Sequence, residues 1–144
     1  MTMLEKIIYT DQAKTTILIR LITGPVFLSE GIQKFVLADT LGAGRFIKIG
    51  LPFPEFLAPF TGSFEIVCGT LVLFGLFARL AAIPLLTIML VAIVSTKIPI
   101  LINDGFWKMI HESRTDWSML LGNIFILIRG AGKWSLDSYL SRNV

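Results

Sequence analysis

FLAPFTGSFEIVCGTLVLFGLFARLAAIPLLTIMLVAIVSTKIPILI, residues 56–102, carries only three charged side chains in its whole length, Glu65, Arg79 and Lys97. A helix needs about 20 mostly apolar residues to cross a bilayer, and this stretch supplies two such lengths, 56–78 and 80–102, with Arg79 between them. The intervening turn is so short that the two helices must run antiparallel as a hairpin. Pro84 and Pro99 each remove a backbone donor from the second arm, which predicts a bend near either end rather than a break.

The rest of the chain fits the same reading. The protein has 144 residues, 54% of them hydrophobic and 16% charged, with a mean hydropathy of +0.76. Too few polar residues remain to clothe a water-soluble surface, so lipid is the expected solvent. A further span is expected at 15–36, retained rather than cleaved, because it contains Arg20, Glu30 and Lys34 and lacks a small-residue cleavage pattern after it. The fourth, at about 115–132, is uninterruptedly apolar only from Trp117 to Ile128, with Asn123 inside, and must recruit polar flanks to span; a re-entrant segment is the alternative. The expected fold is all-α, an integral membrane four-helix bundle forming one domain over residues 1–144.

Two loops separate these spans. Residues 38–55 are rich in Gly and Pro, with room for a short interfacial helix around Arg45 to Ile49. Residues 103–116 read as a second long loop holding Trp107, Lys108, His111, Glu112 and Arg114. Trp107, Trp117 and Trp134 fall in loops or near span ends, as an interfacial belt places them, with Trp134 at the interface opposite the other two. Seven Lys and Arg lie on the side of both termini and six on the other, a small bias toward cytoplasmic termini.

Several function classes drop out. The thirteen Lys and Arg are spread singly, so the net charge of +3 makes no stripe for nucleic acid. Cys68 is the single cysteine, which excludes an internal disulfide, dithiol redox chemistry and a cysteine-rich metal site. Gly42, Ala43 and Gly44 before Arg45 lack a preceding strand and the remainder of a phosphate-loop motif. His111, the only histidine, lies near Glu112 and Asp116 and reads as a solvated side chain; no metal site is expected.

The remaining chemistry is charge inside the spans. On a helix of 3.6 residues per turn, Arg20, Phe27, Glu30 and Lys34 fall within about 80° of one another. Glu30 and Lys34 are four apart with the acid first, the favourable order for an ion pair; snorkelling of Lys34 to the interface is the alternative. Glu65 lies near the middle of its span, where an unpaired carboxylate costs several kcal/mol. It needs a partner or a proton. Lys34 or Lys97 should approach it from the non-terminal side, either as a ligand site or merely to fix helix register. Thr23, Gly24 and Gly31 recur in spacing as Thr61, Gly62 and Gly69, which predicts close backbone approach of the first two spans. The candidate polar cluster is therefore Arg20, Glu30, Lys34, Glu65 and Lys97.

These residues resemble the DoxX family of small four-helix membrane proteins. Arg20, Gly24, Phe27, Gly31 and Lys34 are similar to that family's opening pattern, and Gly50-Leu51-Pro52 to its loop signature. Glu65 with Gly69, Leu73, Gly75 and Leu76, followed by Ala78-Arg79-Leu80-Ala81-Ala82, resembles its second span and hairpin. Gly130-Ala-Gly132-Lys-Trp-Ser135-Leu136-Asp137 resembles its ending. The resemblance implies an inner-membrane protein tied to oxidoreductase systems, among them a thiosulfate:quinone oxidoreductase and an assembly with superoxide dismutase and a sulfurtransferase. It transfers no catalytic residues, and residues 103–116 match no part of its pattern.

Three functions fit this reading. The first is a membrane subunit of a quinone-linked oxidoreductase system, holding a quinone or other lipophile at the polar cluster, with a soluble oxidoreductase partner because no flavin, haem or dithiol motif is present. The second is a non-enzymatic anchor or assembly protein, and the third a small lipophile transporter. An oligomer is compatible with each.

Overall fold

The computed structural model describes residues 3–142, and every regular element among them is helical. Short helices α1 (Met3–Ile8), α3 (Ala43–Lys48) and α7 (Leu136–Leu140) accompany four long ones: α2 (Thr16–Val36), α4 (Pro54–Phe74), α5 (Ala78–Asp104) and α6 (Phe106–Arg129). Helix α2 packs chiefly on α4, α5 on α6, and α4 on α5.

The α2/α4 contact is a consequence of glycine. A Cβ at Gly31 would stand 2.7 Å from the Gly62 carbonyl, and one at Gly69 would stand 2.9 Å from the Leu28 nitrogen, so backbone meets backbone at both ends of the contact. The two helices run antiparallel, with Gly24 and Gly69 at one end and Gly31 and Gly62 at the other, and so make the close backbone approach that the shared spacing predicts. Elsewhere, Phe27, Val72, Ala82, Leu85, Met119 and Ile126 belong to one buried core.

Helix ends follow local chemistry. Pro54 opens α4, where its missing N–H costs nothing. Gly75 ends it in the left-handed region at φ 67°, where a Cβ would strike the Arg20 guanidinium. A three-residue turn then leads into α5, completing the expected hairpin. Both α4 and α5 are long and apolar enough to cross a membrane. Their outer faces expose large apolar side chains, including Val67, Leu90 and Val94, each more than half exposed.

Residues 103–116 differ from expectation. Helix α5 continues to Asp104, Gly105 alone makes the turn at φ 90°, and α6 starts at Phe106. The segment is helix, not loop, and His111 lies on an exposed face of α6. Polar composition marks where the helices leave apolar surroundings, but nothing between Asn103 and Asp116 breaks a helix except Gly105. The expected short helix near Arg45 is present as α3, while α1 and α7 were not foreseen.

Candidate functional site

Glu65 is buried, and its Oε2 lies 2.6 Å from Lys34 Nζ. Both side chains are at most one-tenth exposed, so water screens neither charge well. At this separation the two groups form a close buried ion pair, and the ammonium also donates to the Glu30 carbonyl at 3.5 Å. Lys34 Nζ also approaches the Glu30 carboxylate at 4.0 Å, and Glu30 is half-exposed. The i, i+4 relation and the cross-helix relation thus converge on one ammonium.

This pair faces a cavity of about 600 Å³ between the long helices, walled on one side by α3 and its flanks. Apolar side chains such as Phe27, Phe46, Leu57, Ile88, Met89 and Met119 make most of the wall. The charged lining is Glu30, Lys34, Arg45, Glu65, Lys97, Glu112 and Asp116, in which carboxylates outnumber cations by one. Lys97 does not reach Glu65. It pairs with Asp116 across the α5/α6 contact at 3.0 Å and donates to the Glu112 carbonyl at 2.9 Å. Two ion pairs therefore line a single space, each tying two helices together.

Four of the five expected cluster residues line this cavity; Arg20 does not. It shares a helix face with Lys34 but stands fourteen residues away, about 21 Å along the axis. Its guanidinium donates instead to four carbonyls: Nε to Val72 (2.9 Å), Nη2 to Leu73 (2.5 Å), and Nη1 to Ala131 (3.3 Å) and Trp134 (2.5 Å). Nearby, the Asp137 carboxylate accepts from the backbone N–H of Phe77 (2.7 Å) and Ala78 (3.0 Å), capping the start of α5. Asp11 pairs with Arg129 at 2.6 Å, and the Thr10 hydroxyl accepts from the Gly132 N–H. These contacts knit the chain's two terminal segments over one end of the long helices, while the cavity lies toward the other. Periodicity showed which face Arg20 occupies; only axial distance shows that it serves a different end.

Sequence reasoning missed Asp116, Glu112 and Arg45 as lining residues. The signal for Asp116 was the need of Lys97 for a partner, obscured by treating 103–116 as a loop. His111 lies outside the cavity, with its ring nitrogens 3.2 and 3.4 Å from an Arg114 amino group.

Comparison with known proteins agrees with this picture. A family model described as DoxX matches residues 15–98, which include α2, α3, α4 and most of α5. "Uncharacterized membrane protein Rv3486" of Mycobacterium tuberculosis is 52% identical over 143 residues, covering 95% of this chain and 88% of that protein. "Putative oxidoreductase CatD" of Bacillus subtilis is 30% identical over 128 residues, covering 87% of this chain and 86% of its own. No solved structure matches. The matched region contains Lys34, Glu65 and Lys97 on the helices that wall the cavity, and with such coverage the chain belongs to the DoxX family of membrane proteins.

Proposed function

We propose that this protein is a membrane subunit of a quinone-linked oxidoreductase system, with α2, α4, α5 and α6 all crossing the inner membrane and a quinone or similar lipophile held in the cavity between them. One observation carries the reading: a buried Lys34–Glu65 pair on the wall of an otherwise mostly apolar space of about 600 Å³. Such a site suits a ligand with a small polar head. Lys34 Nζ is placed to donate to a head-group oxygen, and Glu65 to hold or release a proton beside it. When bound, a quinone would supply the two-electron chemistry that no group in this chain provides. The electrons then require a soluble oxidoreductase partner, while a tie of this chain to oxidoreductase chemistry is consistent with the name of the Bacillus relative, "Putative oxidoreductase CatD". The slight excess of Lys and Arg on the terminal side favours cytoplasmic termini.

The carbonyl clamp around Arg20 favours holding over passage. It fills the end of the molecule opposite the cavity with paired polar groups, whereas a transporter needs a route to both sides. The test is a titration of the purified protein with decylubiquinone. Lys34→Ala and Glu65→Gln should each weaken binding at least tenfold, about 1.4 kcal/mol, with helical content unchanged by circular dichroism. Wild-type affinity in both folded variants would remove the site assignment and move the anchor reading ahead.

A further inference from the structure

Beside the cavity, on the outer side of α4 and α5, lies a smaller groove of about 200 Å³ lined by Phe60, Thr61, Phe64, Pro84, Thr87 and Ile88. Four of these, Phe60, Thr61, Thr87 and Ile88, also line the cavity. The same side chains wall both spaces, so the cavity and the outer surface are separated there by one layer of residues.

Three features set this seam apart. The helices that form it are the two most suited to contact hydrocarbon, so the groove faces lipid rather than water. Its outer edge carries Phe56, Phe60 and Phe64, whose rings follow one another along α4 at centroid distances of 5.5 and 5.0 Å. Finally, Gly31, Gly62 and Gly69 close the α2/α4 contact backbone to backbone, whereas the α4/α5 seam has the side chains of Thr61 and Thr87 at the same place. Pro84 leaves the Leu80 carbonyl without its helical donor and loosens α5 one turn away.

We infer that the α4/α5 seam is a lateral window through which the single apolar tail of the cavity's ligand passes into the lipid, with Phe60 as its movable leaf. The inference rests on the proposed function and narrows its ligand to a lipophile with one polar head and one chain. The head lies at Lys34 and Glu65, and the chain crosses between Phe60 and Thr87 to lie along Phe64. A groove one-third the size of the cavity accepts one chain, not the two of a phospholipid.

The experiment uses the full chain in mild detergent with two probes, tailless duroquinone and tailed decylubiquinone. The wild type should bind the tailed probe at least tenfold more tightly. Phe64→Trp, at an exposed position that lines the groove and not the cavity, should erase that preference while leaving duroquinone affinity unchanged; Glu65→Gln should weaken both. Excess dioleoylphosphatidylcholine should not displace the tailed probe. In the wild type, a diazirine at the tail end of the decyl probe should label Phe64, Pro84 or Thr87, a readout that does not depend on any variant folding. Labelling confined to Met89 and Met119 would overturn the window, as would equal effects of Phe64→Trp on both probes or displacement by the phospholipid. Failure of the wild type to bind either probe would overturn the proposed function and the window together.

Discussion

Replacing Arg20 by methionine keeps much of the side chain's apolar stem but removes every donor that holds four carbonyls from α4 and the C-terminal segment. Val72 O retains the Gly75 N–H, so the loss falls chiefly on the carbonyls of Leu73, Ala131 and Trp134. A buried carbonyl losing its partner costs about 1–3 kcal/mol. Three such groups give a gross loss of about 3–9 kcal/mol, and relief from burying a guanidinium returns part of it. The net expectation is about 3 kcal/mol, or roughly 10 °C in Tm for a chain of this size. Thermal unfolding in mild detergent, followed by circular dichroism, reads it directly. Arg20→Lys should rescue little, because one ammonium cannot span four acceptors in a planar fork. A Tm within about 2 °C of wild type would refute the assignment of Arg20 as the tie between α4 and the C-terminal segment.

Three other outcomes follow from the same geometry. Lys34→Met should cost about 3 kcal/mol by stranding the Glu65 carboxylate, while Lys34→Met with Glu65→Leu should recover most of it; equal losses in single and double variants, by urea unfolding, would show that the pair is not coupled. Gly31→Val should lower stability by at least about 2 kcal/mol, since its Cβ meets Gly62 and Ile66 backbone atoms under 3 Å away; unchanged unfolding would mean that α2 and α4 separate at little cost. Burial raises the Asp137 carboxyl above its ordinary value, against the opposing pull of the Ala78 and Phe77 N–H groups and Arg20. The folded chain therefore keeps a proton that the unfolded chain has released, so the stability from this group is greatest in acid and declines as pH rises from the ordinary carboxylate range through the raised folded value. Asp137→Asn should flatten that slope in unfolding measured against pH, and a wild-type slope of opposite sign would contradict the burial argument.

Much of this fold was legible because it depends on local rules. An apolar run of 47 residues interrupted near its middle by Arg79 and flexed at Gly75 can only be two long helices and a tight turn. The matched spacing of Gly24 and Gly31 with Gly62 and Gly69 gave the closest helix contact for a similar reason: no other residue type permits it. Glu65 and Lys34 were legible as partners because a carboxylate in that position has few neighbours able to neutralise it. What was not legible depends on where helices stop. Composition alone does not distinguish a polar loop from a helix that continues beyond apolar surroundings, so residues 103–116 were misread and Asp116 was overlooked as the partner of Lys97. Arg20 was misplaced because angular position carries no information about height along an axis.

The central claim, that the Lys34–Glu65 cavity holds a lipophile, is tested most directly by mass spectrometry of the small molecules that copurify with wild type and with Glu65→Gln in mild detergent. A quinone enriched with wild type and lost from an equally folded variant is the result this account predicts. Equal retention by both proteins, or enrichment of no lipophile by either, would contradict it.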